Sequence, residues 1–363
     1  MAVPVEIRGD TFPGSVYAQA PQNVYWETTI ACDLDCKHCR ADANPNRHPL
    51  ELSFEQGKEL MRSVKAMGSL MVLTGGDPMK REDIFDLMSF GREIKLPMAV
   101  TPSTTPLLTR DIIAKFRDLN MAAMGVSLDG PSAEVHDSFR KVTGTFARSM
   151  LALDAAREFK LPVQVNTSIT TETIPHLQAL YELLRDQATP PVRRWSLFLL
   201  VPVGRGVELG LPSALQVEQL FGWVYSISAQ APFHVSTVEA PHYRRFFIQR
   251  KLEEGIPREQ LQKMARKMGF GVRDGNGVIF VSHLGEVYPA GFLPYPLLGN
   301  VKDRPISEIY RDSPALQELR DAHRLKGRCG RCEFKWVCGG SRARAYGMLQ
   351  DPFQEDPLCA FYP

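Results

Sequence analysis

Two periodicities alternate along this chain. Short apolar and β-branched runs, bounded by glycine, proline or small polar residues, predict strands, and between them apolar residues recur three and four apart, as on one face of a helix. Val24 to Ile30 predicts the first strand. Ser53 is placed to cap a helix reaching about Met67, with Leu60, Met61 and Val64 on its apolar face. The strand Leu70 to Leu73 follows, and the unit then repeats. Helix Ile84 to Glu93 precedes strand Met98 to Thr101, and helix Arg110 to Leu119 precedes strand Ala123 to Leu128. Helix Phe146 to Phe159 leads to strand Val163 to Ile169, and helix Ile174 to Asp186 to strand Trp195 to Val201. Six strand-like runs separated by helical patterns predict parallel strands joined by right-handed crossovers. Curled up, they form an α/β fold, a partial (β/α)6 TIM-like barrel.

The pattern changes after residue 235. A short run, His234 to Thr237, is followed by a predicted helix from Arg258 to Lys267 and the glycine-rich link Gly269-Phe270-Gly271. Gly277 to Val281 and Leu284 to Pro289 predict a hairpin turning near Gly285, and Ile306 to Arg320 predicts a helix. The expected organisation is a surface leader over 1–23, the barrel over 24–235, a bridging helical segment over 236–275 and a small cysteine-rich α+β domain over 276–363.

Composition narrows the function classes. Apolar residues at 44% and charged residues at 23% of 363 describe an ordinary globular protein, and a formal net charge of +2 gives no pull toward nucleic acid or membrane. No basic-then-apolar signal segment and no apolar run near 18 residues is present, so a cytoplasmic location is expected. The seven cysteines fall as three near the start and four near the end. That grouping points to two metal centres rather than disulfides.

The early group is Cys32-Asp33-Leu34-Asp35-Cys36-Lys37-His38-Cys39, directly after the first strand. A 4Fe-4S cube normally takes four cysteines, so three thiolates from one loop leave one iron open. A zinc knuckle or unrelated core cysteines are the plainer readings. The spacing Cys-x3-Cys-x2-Cys resembles the cluster motif of the radical S-adenosylmethionine (SAM) enzymes. That resemblance implies SAM chelated on the open iron and cleaved by one electron to a 5′-deoxyadenosyl radical, with Cys32, Cys36 and Cys39 as catalytic metal ligands. It places His38 where the family carries an aromatic ring near the cluster and adenine.

In such barrels the site lies at the carboxyl ends of the strands, and the remaining motifs sit there. Gly75-Gly76-Asp77-Pro78 resembles the family's Gly-Gly-Glu-Pro loop, whose glycines allow close backbone approach and whose carboxylate or carbonyls hold the SAM ammonium. Asp77 replaces the usual Glu, so the loop backbone is the surer contact. Ser103 is placed for the ribose or the methionine end. Ser127-Leu128-Asp129-Gly130 with His136-Asp137-x-x-Arg140 is similar to the carboxylate site of the peptide- and cofactor-maturing subgroup, with Ser127 and Arg140 as donors. A helix cap by Asp129 and a surface Arg140 form the plainer alternative. The backbone of Val165 and the side chain of Asn166 are the implied adenine and ribose contacts. Arg205, in a glycine-flanked loop, is either a contact for an anionic substrate or an ordinary loop arginine. His242 and Tyr243 either serve the substrate or start a helix; Arg244 and Arg245 are further carboxylate partners.

Cys329-x2-Cys332-x5-Cys338 followed by Cys359 resembles the SPASM or twitch extension of these enzymes, which carries auxiliary 4Fe-4S clusters. Ala290 and Arg342 stand where the two-cluster pattern has cysteines, which implies one auxiliary cluster, ligated by Cys329, Cys332, Cys338 and Cys359. A zinc site on the same thiols is the alternative. With Trp26-Glu27 and Cys39-Arg40-Ala41, the series is closest to the radical SAM proteins of alternative haem and modified-haem biosynthesis. The expected partners are an external one-electron reductant and a small molecule, a tetrapyrrole before a ribosomally made peptide. A non-catalytic metal-binding scaffold is the reading from another class.

Overall fold

A computed structural model describes residues 17–187, 192–257, 259–261 and 273–363. Most of the helix expected over Arg258 to Lys267, its glycine link Gly269-Phe270-Gly271 and most of the leader lie outside the described residues; of that helix only residues 259–261 are described, and they are helical.

The strands are β1 (Asn23–Glu27), β2 (Leu70–Thr74), β3 (Met98–Val100), β4 (Met124–Ser127), β5 (Val163–Ile169), β6 (Val192–Leu199) and β7 (His234–Val238). They lie side by side in chain order and every neighbouring pair is parallel. The run at His234, which the sequence sets beyond the barrel, is thus a further parallel strand on β6. In β5 the burial alternates strictly, with Val163, Val165, Thr167 and Ile169 buried and Gln164, Asn166 and Ser168 less so. This is the pattern of a strand with one face under helices and the other turned to the barrel interior.

The crossover helices form where the periodicity and caps predict them. Ser53 and Gln56 make a reciprocal capping box on Phe54–Ala66, and the Thr109 hydroxyl accepts the Ile112 N–H ahead of Arg110–Asp118. Pro175 begins the next crossover as a 3-10 turn, Ile174–His176, before the helix Leu177–Gln187.

The carboxyl-terminal region extends the same sheet. Strand β8 (Arg273–Asp274) pairs with β9 (Gly277–Val281), and β9 lies parallel to β1 on its free side. The expected hairpin forms between β9 and β10 (Glu286–Tyr288), with Gly285 at φ +87° in the turn, and β11 (Gly299–Asn300) closes the edge. The single helix expected over Ile306 to Arg320 is two, Ile306–Asp312 and Pro314–Arg320. Pro314 forces Ser313 into an extended conformation, and the Ser313 hydroxyl caps the second helix at the Leu316 N–H. One apolar core runs from Val24 and Trp26 in β1 through Ile279 and Val287 to Leu358.

Candidate functional site

The loop after β1 is closed at its base, where Ala31 bridges Asn44 and the Cys32 N–H donates to the Asn44 carbonyl at 2.8 Å. Cys32 and Cys36 are buried and Cys39 is half-buried. Each sulfur already has a hydrogen-bond neighbour. The Leu34 N–H reaches Cys32 Sγ at 3.4 Å, the Ala43 N–H reaches Cys39 Sγ at 3.4 Å, and Arg140 Nη1 reaches Cys36 Sγ at 3.6 Å. Ser103 Oγ lies 3.4 Å from Cys32 Sγ. Burial pushes the Cys32 thiol up to about 11 against the lowering bond to Ser103, so the free side chain keeps its proton. Metal binding would have to release it, as thiolate coordination does. Three thiols on one closed loop, each beside a donor, fit three irons of a cluster.

The glycine loop after β2 packs directly on this base. A Cβ on Gly76 would stand 2.4 Å from the Ala31 carbonyl oxygen and 2.5 Å from that of Ile30, so no side chain fits. Asp77 is fully buried, and its oxygens accept the N–H groups of Met79 at 3.1 Å and Ser103 at 3.3 Å and the Thr105 hydroxyl at 2.8 Å. The carboxylate expected at the SAM ammonium therefore braces the loop after β3 instead. Ser103 Oγ in turn donates to the Gly76 carbonyl at 2.9 Å.

Arg140 ends the helix Ala133–Arg140, whose cap is Ser132 and not Asp129. Asp129 accepts Arg140 Nε at 2.8 Å and Nη2 at 2.6 Å, and its other oxygen accepts the Ser168 N–H at 2.7 Å. Burial is the largest influence and would raise the Asp129 carboxyl; Arg140, His38, His136 and the Ser168 N–H together outweigh it and hold the group below its ordinary range. The guanidinium expected to hold the SAM carboxylate is thus divided between Asp129 and Cys36. A surface location for Arg140 is also overturned, because only 9% of the residue is exposed. His38 stacks on Phe139 of the same helix, with ring centroids 4.8 Å apart and planes at 13°. Burial, with Arg140 nearby, pushes the His38 imidazole down to about 3, so the ring is neutral.

Ser127 ends β4 opposite Asn166 on β5, and the Asn166 side chain accepts Gln164 Nε2 at 2.8 Å. Val165 is fully buried in register with Val126 on one side and Trp195 on the other. The strand there is paired on both sides, so its backbone at Val165 is engaged in the sheet.

Arg205 supports the cysteine loop. Its Nε donates to the Cys36 carbonyl at 3.0 Å and its Nη1 to that of Ala43 at 3.3 Å, with Asp35 2.9 Å away. Gly204, at φ +54°, lets the chain lie on the loop, since a Cβ there would meet the carbonyl oxygens of Cys39 and Arg40 at 2.4 Å.

The distal cysteines share one place: Cys329, Cys332, Cys338 and Cys359 line a single cavity. The Asp356 N–H reaches Cys329 Sγ at 3.5 Å and the Gly340 N–H reaches Cys338 Sγ at 3.4 Å. Burial pushes Cys332 up to about 11. Four thiols around a cavity, with backbone donors on two of them, fit a fully ligated cluster. Among the described residues no group of three His, Cys, Asp or Glu is arranged to hold a single metal ion. Ala290 is buried in the core, and Arg342 is buried and spends Nη1 on the carbonyls of Pro352 and Gln354, both at 2.6 Å.

His242 opens the helix His242–Glu253 and lines this distal cavity, so its expected place beside a substrate is corrected. Tyr243 packs its ring against Phe221 and Phe246, and burial pushes its hydroxyl up to about 12. Arg244 donates to the Val337 carbonyl at 3.2 Å, and Arg245 grips Glu218 at 2.5 and 2.6 Å.

Two long-range constellations have no local signature in the sequence. Arg40 Nη2 and His283 Nδ1 meet the two oxygens of buried Glu27 at 2.5 and 2.6 Å, tying the cysteine loop to β1 and to the β9–β10 turn. Arg344, fully buried, holds Asp356 and donates to the carbonyls of Leu199, Leu200 and Glu239. It joins the distal cysteine region to the ends of β6 and β7.

A sequence model of the radical SAM superfamily matches residues 26–184. An AdoMet-dependent heme synthase of Oleidesulfovibrio alaskensis is 35% identical over 343 residues, which is 94% of this chain and 87% of the relative. One from Methanosarcina barkeri is 34% identical, covering 95% of this chain and 97% of its own length. Among solved structures, Streptococcus suis SuiB bound to its precursor peptide SuiA superposes with a TM-score of 0.72 at 15% identity, covering 94% of this chain and 76% of that one. At that identity the match speaks for the fold alone.

Proposed function

The chain belongs to the radical SAM superfamily, and from that premise we propose that it modifies the side chains of a tetrapyrrole. When bound, a 4Fe-4S cluster on Cys32, Cys36 and Cys39 supplies the electron that splits SAM into methionine and the 5′-deoxyadenosyl radical, which takes a substrate hydrogen. The chain's own work is to hold and shield that centre. Leu34, Ala43 and Arg140 place donors at the three sulfurs, which withdraws charge from the thiolates. Arg205 fixes the loop's carbonyls, and the Gly75-Gly76 turn brings backbone against its base. His38 and Phe139 form a flat apolar wall beside Cys39. Of the pair across β4 and β5, Ser127 is assigned to the SAM carboxylate and Asn166 to the ribose.

The substrate class rests on relatives named for haem synthesis whose likeness runs through nearly the whole chain. Cys329, Cys332, Cys338 and Cys359 are assigned to one auxiliary 4Fe-4S cluster. Its complete thiol set leaves no open iron for SAM, so it serves electron transfer, and an external one-electron reductant feeds the chemistry. A cytoplasmic, reducing setting suits seven free thiols. No helix among the described residues is long and apolar enough to cross a membrane, and no charge excess favours nucleic acid.

Radical modification of a ribosomal peptide is the second reading, favoured by a sequence relative, the PqqA peptide cyclase of Rhodopseudomonas palustris, 26% identical across 94% of this chain. Anaerobic incubation with SAM, a chemical reductant and propionate-bearing porphyrins, followed by mass spectrometry, decides between them. Altered propionates with stoichiometric 5′-deoxyadenosine are expected. Modification of a precursor peptide with the porphyrins untouched would reverse the order.

A further inference from the structure

Two buried donors beside the distal cysteines have no partner in the fold. His242 is fully buried and lines the four-thiol cavity, and neither ring nitrogen has a hydrogen-bond partner among the described residues. Its polar neighbour, Asp356 Oδ2, stands 3.6 Å from Nδ1, beyond hydrogen-bond reach. That carboxylate is already served by Arg344 and by the N–H groups of Ser341 and Leu358. Arg245, 3% exposed, lines the same cavity. Its terminal nitrogens go to Glu218 and Gln249, which leaves Nε without a partner among the described residues.

A buried polar group without a partner is costly, and native proteins keep few of them. Two on the wall of one small cavity call for acceptors inside it. A neutral imidazole carries one N–H on either nitrogen, and no protein group here fixes which. An acceptor in the cavity would fix it.

We infer that His242 and Arg245 donate their unpaired N–H groups to the sulfur atoms of the cluster held by Cys329, Cys332, Cys338 and Cys359, and that these bonds raise its reduction potential. The inference rests on the auxiliary-cluster reading above. Hydrogen bonds to sulfur stabilise the more negative, reduced state of a cluster, and potentials are set by such bonds together with charge and exposure. His242 and Arg245 thus tune the distal centre, making it easier to reduce than it would be without them.

The test uses the full chain with Cys32, Cys36 and Cys39 replaced by Ala, so that only the distal centre is loaded. Iron and sulfide are counted, and the potential is followed by EPR-monitored titration. His242→Phe keeps ring volume and removes the N–H, and should shift the potential negative with four irons retained. His242→Gln restores an N–H and should recover most of that shift. An unmoved potential in an iron-replete His242→Phe protein overturns the inference. So does loss of iron from both variants, since His242 would then be holding the fold. Loss from the Phe variant alone, with the Gln variant near the parent potential, supports it. If the parent itself binds no iron, the auxiliary-cluster reading fails first and the inference with it.

Discussion

Arg140 stands between Asp129 and Cys36, donating through Nε and Nη2 to the buried carboxylate and through Nη1 to the sulfur 3.6 Å away. An ionic pair inside the barrel is thereby wired to the middle thiol of the cysteine loop. Removing one partner of a buried pair strands the other charge, at a cost of about 3–5 kcal/mol. Arg140→Met should lower unfolding stability by that order, measured anaerobically in denaturant, and the double variant with Asp129→Asn should recover much of it. Additive losses would show that the two side chains do not depend on each other.

Gly76 is a second point where sequence and packing agree. Its absent Cβ leaves room for the Ile30 and Ala31 carbonyls at the root of the cysteine loop. Gly76→Ala should cost about 1–3 kcal/mol of stability, the usual price of overpacking. It should also reduce iron bound by the proximal thiols while the distal set stays loaded, as counted by iron analysis in variants lacking one cysteine group. Full proximal loading would refute the close-approach argument.

Arg205 distinguishes loop support from substrate contact. Arg205→Ala leaves the Cys36 and Ala43 carbonyls without their donor, at about 1–3 kcal/mol. Proximal cluster occupancy should fall, with substrate KM per loaded enzyme unchanged. A raised KM at full occupancy would return Arg205 to the substrate.

The pH dependence has two opposed limbs. Burial, with Asp274 beside it, pushes the Glu239 carboxyl up, so folded protein keeps a proton that unfolded chain releases. Stability therefore falls as pH rises above the ordinary carboxylate range, and Glu239→Gln should flatten that fall. Asp356 is the converse: burial would raise it, but Arg344, His242 and the Ser341 N–H together outweigh burial and hold it well below the usual range. Its contribution is complete above the ordinary aspartate range and is lost on acidification, a limb that Asp356→Asn should blunt. Denaturation midpoints measured from pH 2 to 9 check both signs.

Much of this was legible because it is local. Strand and helix periods, the Ser53 and Thr109 caps, the glycine turn and both cysteine groups are patterns within a few residues of one another. What escaped is non-local. Nothing near Arg344 announces that its guanidinium spans Asp356 and the carbonyls at Leu199 and Glu239. Asp77, Arg140 and Arg205 have the residue types a ligand site wants, yet the fold spends each on a neighbouring loop. His242 looked like substrate chemistry because its other neighbour, a cavity of cysteines drawn from residues 329 to 359, exists only after folding.

The most direct measurement is 5′-deoxyadenosine formation from SAM by the anaerobically reduced protein, compared with the variant in which Cys32, Cys36 and Cys39 are all Ala. The expected result is SAM cleavage by the parent and none by the variant, which still binds four irons on its distal thiols. Cleavage that survives in the variant would contradict the assignment of the three early sulfurs as the reactive centre.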